Sequence, residues 1–171
     1  MSNEFDYIIV GGGSAGCVLA GRLSEDPQVR VCLLEAGGNG DGLIVNVPAG
    51  AVAMLSKTIN NWLFETTPQP GLNNRKGLQP RGKCLGGSSA INAMVYIRGH
   101  RWDYDNWAAL GNNGWSYDDV LPYFRKSEHN ERFDNEYHGT NGPLWVSDSR
   151  TDSPFHDYFL KAANECGIPT V

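Results

Sequence analysis

Gly11-Gly12-Gly13-Ser14-Ala15-Gly16 places Gly11, Gly13 and Gly16 at G-x-G-x-x-G spacing, and an acidic residue, Glu35, follows Gly16 by 19 positions. In such a pattern the first glycine makes a tight turn, the second lets backbone approach a pyrophosphate, and the third allows close helix-to-strand packing. Ser14 and Ala15 open the following helix, so their N–H groups and the positive end of the helix dipole face an anion. Glu35 is then placed to accept from ribose hydroxyls. The same residues also spell G-x-S-x-G through Gly12, Ser14 and Gly16, the nucleophile elbow of an α/β-hydrolase with Ser14 as nucleophile. Against that reading, the motif follows the first strand, so no earlier strand and loop offers a second oxyanion donor. His100, His138 or His156 would have to complete a triad.

A second glycine-rich stretch, residues 81 to 99, reads RGKCLGGSSAINAMVYIRG. Arg81, Gly82, Lys83, Gly86, Gly87, Ser88 and Ser89 offer two cations, unobstructed backbone N–H groups and two hydroxyls. NAD has no evident use for this second nest. FAD is longer and carries a bulky ring, so its pyrophosphate and ribityl chain could be gripped from both sides, with Asn92, Ala93, Met94 and Val95 along the ring.

These residues need elements to hold them. Tyr7 to Val10 is a short β-branched apolar run, expected as a strand buried on both faces, and Ala15, Val18, Leu19 and Leu23 recur at helical spacing up to a stop at Asp26-Pro27. Val31 to Leu34 forms the second strand, completing a βαβ unit. Residues 37 to 80 are rich in Gly, Asn and Pro and read as ordered loop with one short helix within Leu43 to Leu55. A loop of that length usually covers something. Ser116 to Glu128 reads as a capped helix kinked or started late by Pro122, Gly142 to Ser147 as a strand, and Ser153-Pro154 as the start of a helix with Phe155, Phe159, Ala162 and Cys166 on one face. The chain closes at Ile168 to Val171 with too few strands for an open parallel sheet, so it is expected to be truncated.

Composition narrows the function. The 171 residues carry a net charge of −5 and are 40% hydrophobic, which suits a folded globular chain and gives no electrostatic case for nucleic acid. The cysteines, Cys17, Cys32, Cys84 and Cys166, are scattered, and neither they nor the four histidines show metal-ligand spacing. No secretory signal or transmembrane stretch is visible, and a soluble cytoplasmic protein is expected.

GKCLGGSSAINAMVYIRGHRWDYD, Gly82 to Asp105, resembles the first signature of the glucose-methanol-choline oxidoreductases, in their bacterial choline- and alcohol-dehydrogenase branch. LLEAGG, Asn61-Trp62, Thr67-Pro68-Gln69, GWSYDDVLPYF and HGTNGPLWV extend that resemblance over nearly the whole chain. It implies an FAD-dependent enzyme oxidising an alcohol to an aldehyde or ketone by hydride transfer to flavin N5. It further implies that Gly11, Gly13, Ser14, Ala15, Gly16, Glu35 and Ala36 bind the ADP half, with Trp62 also at the cofactor. Arg81, Gly82, Lys83, Gly86, Gly87 and Ser88 would lie near the pyrophosphate and ribityl, and Asn92 to Val95 near the ring. Some members attach flavin through a histidine just before that asparagine. Ile91 stands there, so non-covalent FAD is expected.

The expected fold is α/β: a Rossmann-like FAD-binding domain over residues 1–140, then the start of a substrate-binding α+β domain over 141–171. No catalytic or metal residue is assigned. Family members are longer and keep their catalytic histidine near the far C-terminus, so the chain is expected to need a further C-terminal segment. His100 reads as part of an ion network with Arg98, Arg101 and Asp103, and Trp102, Trp107 and Trp115 as packing aromatics. A non-catalytic nucleotide-binding module and the Ser14 hydrolase are the alternatives.

Overall fold

The structure is a computed structural model describing residues 4–151 and 153–169. It divides at Val95/Tyr96 into two compact units.

In the first unit, β1 (Tyr7–Val10) pairs in parallel with β2 (Val31–Leu34), and α1 (Ser14–Leu23) is the crossover. The register runs from Tyr7 opposite Val31 to Val10 opposite Leu34. Helix α1 stops at Leu23, earlier than Asp26-Pro27 predicts. Pro27 disfavours helical geometry at Asp26, which instead turns the chain by accepting from the Gln28 N–H at 2.9 Å. β1 is not buried on both faces as expected: Ile8 is 63% and Val10 84% exposed, because the sheet has two strands among the described residues.

The long connection folds as α2 (Leu43–Asn46) and α3 (Gly50–Leu55), two helices where one was expected. The break falls at Val47, held extended at ψ 122° by the proline that follows it. β3 (Phe64–Glu65) and β4 (Leu78–Gln79) then pair antiparallel, too short to signal themselves in the sequence. The core of this unit is Met54, Cys84, Ile91 and Ala51, so it lies beneath the second nest.

The second unit opens with α4 (Arg101–Ala109), which shows no clear apolar period and is fixed at its start by side chains. His100 Nδ1 accepts from the Trp102 N–H at 3.1 Å, and Asp103 accepts from the His100 N–H at 2.8 Å. Helix α5 (Tyr117–Ser127) is capped as predicted, Ser116 and Asp119 bonding reciprocally, with Pro122 inside it. β5 (Glu128–Asn130) and β6 (Leu144–Val146) pair in parallel, and α6 (Pro154–Glu165) carries proline at its first position. Phe155 and Phe159 on α6 are exposed. The expected chain close includes Thr170 and Val171, which lie outside the described residues. No helix among the described residues is long and apolar enough to cross a membrane.

Candidate functional site

Gly11 takes φ +98°, a left-handed turn that favours glycine, and its N–H extends the sheet ladder to the Leu34 carbonyl at 2.7 Å. A Cβ on Gly16 would meet the Gly11 carbonyl oxygen at 1.9 Å, so the third glycine is what lets α1 sit on the turn. Gly13 differs: a Cβ there would meet nothing within 4 Å. Among the described residues nothing crowds that side of Gly13, which also lines the cavity described below. Gly13 caps α1 without a side-chain hydrogen bond, and the first turn holds no acidic residue, so the positive helix end at Ser14 and Ala15 keeps its pull on anions. Glu35 is braced behind the loop. Its two carboxylate oxygens accept from the Gly12 N–H at 2.7 Å and the Gly37 N–H at 2.8 Å, and each retains capacity for a hydroxyl donor.

The second nest lies directly against the first. Gly86 donates to the Gly12 carbonyl at 2.8 Å, and Leu85 to the Gly38 carbonyl at 2.9 Å, so Cys84 to Gly87 runs alongside both the first turn and the residues after β2. Gly87, at φ +55°, packs so closely that a Cβ would lie 2.7 Å from the Gly13 Cα. Gly82 packs on Gly87 in turn, and the Ser88 hydroxyl accepts from the Gly82 N–H at 3.2 Å. Two nests separated by about seventy residues of sequence are therefore one continuous cradle of backbone. Cys84 sits beneath it at 0% exposure. Burial first, and then the Glu35 charge, push its thiol pKa up against an opposing hydrogen bond from Gly87.

Asn61 holds the cradle to the neighbouring loop, and sequence reasoning did not single it out as a structural clamp. Only 3% exposed, its amide donates to the Met54 carbonyl at 2.8 Å and the Leu55 carbonyl at 3.3 Å, while its oxygen accepts from the N–H groups of Arg81 and Leu63, both at 3.0 Å. Its neighbour Trp62 donates its N–H to the Arg81 carbonyl and stacks on Phe64, ring centroids 5.7 Å apart. A cavity of about 480 Å³ results, walled by Val10, Gly11, Gly13, Leu34, Glu35, Ala36, Trp62 and Gly82. It joins apolar and aromatic walls to a carboxylate at the glycine turn.

The Arg81 guanidinium donates to the Pro80 carbonyl at 2.6 Å, and the Lys83 ammonium lies 4.3 Å from the centre of the Trp62 ring. Further along, Asn92 accepts from the Met94 N–H at 2.8 Å, and Met94 takes φ +58°, an uncommon conformation for a non-glycine residue. Asn92, Ala93, Met94 and Val95 are all exposed. Asn92 and Met94 share a cavity of about 90 Å³ with Ala51 and Met54 of α3.

In the second unit, Glu128 is 0% exposed and accepts from Arg98 at 2.5 Å, Asn130 at 2.9 Å, His138 at 3.0 Å and the Gly139 N–H at 3.2 Å. Burial alone would raise its pKa. The hydrogen bonds from Asn130, His138 and Gly139, with the Arg98 charge, outweigh burial and lower it. Arg98 is thus paired to a buried glutamate, while Arg101 pairs with exposed Asp118 at 2.8 Å. His100 caps α4, His129 stacks on Trp145 and His138 serves Glu128. Trp107 and Trp115 pack edge to face, as expected of structural aromatics, and Trp102 is exposed. All four histidines fall in the second unit, so Ser14 has no histidine in its own. The described residues hold no cluster suited to a metal ion.

The chain is 51% identical over 165 residues to an alcohol dehydrogenase [acceptor] of Pseudomonas putida, covering 96% of the chain and 30% of that protein. It is 48% identical over 175 residues to the mitochondrial choline dehydrogenase of Mus musculus, covering 98% of the chain and 29% of that protein. Among solved structures, an FAD-dependent oxidoreductase from Chaetomium thermophilum superposes with a TM-score of 0.83 at 38% identity, over 98% of this chain and 30% of that one. The chain thus spans about 30% of the length of the curated relatives it matches. With residues 5–171 matching the model of the GMC oxidoreductase family, this chain belongs to that family.

Proposed function

We propose that this chain supplies the FAD-binding elements of an enzyme that oxidises an alcohol CH–OH group to a carbonyl. The observation that carries this reading is the fusion of two glycine nests at Gly13 and Gly87, beside the side of Gly13 where a Cβ would meet nothing. A mononucleotide needs one nest; a cofactor with a pyrophosphate and a long second arm uses both. When bound, flavin supplies the hydride acceptor for the alcohol carbon.

The residues of the chain bind and orient. Gly13, Ser14, Ala15 and Gly16 direct backbone N–H groups to the pyrophosphate. Glu35, braced by Gly12 and Gly37, accepts from the ribose hydroxyls. Ala36 and Trp62 wall the adenosine side, with Gly82 beside them. Gly86, Gly87 and Ser88 line the continuation of the cradle, and Asn92 to Val95 flank the ring. Ile91, buried and without a nucleophile, favours dissociable FAD. The cofactor domain runs to about residue 140 and the substrate domain begins at 141. Names of the relatives point to a small alcohol, choline included, as substrate. None of the engaged histidines suits a catalytic base, since His100 caps α4, His129 stacks on Trp145 and His138 serves Glu128.

Titration of the purified chain with FAD tests the proposal. One equivalent should bind with a change in flavin fluorescence, and acid should release all of it as free FAD. Failure to bind FAD and ADP alike, or flavin that stays with the acid-precipitated protein, would overturn it.

A further inference from the structure

We propose that Lys83 is a positioning residue for Trp62 and does not act as a phosphate ligand. This rests on the reading of the 480 Å³ cavity as the site of an adenine nucleotide. Trp62 and Gly82 form part of that cavity wall, and Lys83, next in sequence to Gly82, is not on it. The chain crosses the Asn61 loop at an antiparallel bridge between Asn61 and Gly82. On either side of the bridge, Lys83 donates its N–H to the Asn60 carbonyl at 2.8 Å and Trp62 donates to the Arg81 carbonyl at 2.9 Å. Lys83 and Trp62 are thereby fixed as neighbours. The Lys83 ammonium lies 4.3 Å from the centre of the indole, within cation–π range, and the same indole stacks on Phe64 with the planes 9° apart.

Trp62 is 42% exposed, so its backbone alone does not fix its ring. A cation and a parallel phenyl ring against it restrict the indole to one placement on the cavity wall. An aromatic wall acts on the base and sugar of a ligand whether or not that ligand carries phosphate. A phosphate-binding lysine acts only where phosphate is present, and its contribution falls with added salt.

The experiment compares adenosine with ADP on the purified chain and on Lys83→Met, Lys83→Arg, Trp62→Leu and the Lys83→Met/Trp62→Leu double variant. Methionine keeps most of the lysine volume and removes the cation; arginine keeps it. Binding is followed by ligand NMR, and the exposure of Trp62 without ligand is read as the difference in acrylamide quenching of tryptophan fluorescence between each background with Trp62 and its Trp62→Leu counterpart, which removes the signal of the other four tryptophans. Lys83→Met should weaken adenosine and ADP by the same factor, about two- to fivefold from the strength of an exposed cation–π contact. It should raise quenching, add no further loss in the Trp62→Leu background, and be rescued by arginine. Loss confined to ADP, with a shallower salt dependence, would overturn the proposal in favour of phosphate contact. Equal binding by wild type and Lys83→Met would overturn it outright. If the wild-type chain binds neither ligand, the nucleotide reading of the cavity fails first and this inference with it.

Discussion

Gly13→Ala separates the cost of folding from the cost of binding. At φ −76° and ψ −172° Gly13 occupies backbone that alanine adopts, and the new methyl would meet nothing within 4 Å. Two small effects oppose each other. Removing glycine from the unfolded ensemble stabilises by about 0.4–1 kcal/mol, and replacing a glycine N-cap by alanine costs a similar amount. The net change should be within about 1 kcal/mol, or roughly 2–4 °C in Tm for a chain of this size. The methyl does, however, occupy the side of Gly13 from which a pyrophosphate would approach. Losing one charge-assisted hydrogen bond costs about 1.5–3 kcal/mol, roughly ten- to hundredfold in Kd. Differential scanning fluorimetry without ligand and FAD titration of the same samples give both numbers. Gly87→Ala is the contrasting control: at φ +55°, with its Cβ 2.7 Å from the Gly13 Cα, it should lower Tm as well as affinity. Unchanged FAD affinity in Gly13→Ala, or a large loss of Tm without loss of affinity, would refute the reasoning.

Asn61→Ala removes four hydrogen bonds at a buried side chain and strands the N–H groups of Arg81 and Leu63. It should cost about 2–4 kcal/mol, read as a fall in the urea midpoint. Glu128→Gln leaves Arg98 facing a neutral amide in a buried pair, and should destabilise the second unit by about 3–5 kcal/mol in chemical denaturation. Because the folded pKa of Glu128 is depressed, its contribution is fully present above the ordinary glutamate pKa and is lost as pH falls through the folded value. Wild type should therefore lose stability steeply with acid in that window and Glu128→Gln less so; parallel curves would contradict this. Cys84, buried and with its pKa raised, should resist iodoacetamide at neutral pH while exposed Cys17 and Cys166 react, as peptide mass mapping with and without urea would show.

The elements built on local chemistry were legible in the sequence. The βαβ unit follows from Gly11, Gly13 and Gly16 with two apolar runs, and α5 and α6 from Ser116 and Pro154 at their starts. Elements set by contacts distant in sequence were not. The Asn61 clamp depends on Arg81, twenty residues away, and the pairing of β5 with β6 on a return through Gly139 and Gly142. α4 was missed because His100 and Asp103 cap it while its face lacks an apolar stripe. The exposure of Ile8 and Val10 was equally unreadable, since a β-branched run signals a strand and not how many neighbours it has. At the candidate site, residue identities pointed to two nests and a long cofactor. That Gly13 and Gly87 touch, and that Lys83 lies on Trp62, required coordinates, because spacing carries no information on where a flexible ammonium settles.

The most direct test of the fused cradle is amide NMR of the ¹⁵N-labelled chain during titration with ADP and then FAD. The account predicts that Gly13, Ser14 and Ala15 shift together with Gly86, Gly87 and Ser88, saturating at one common Kd. Shifts confined to the first nest, or two groups of amides saturating at different concentrations, would contradict a single site.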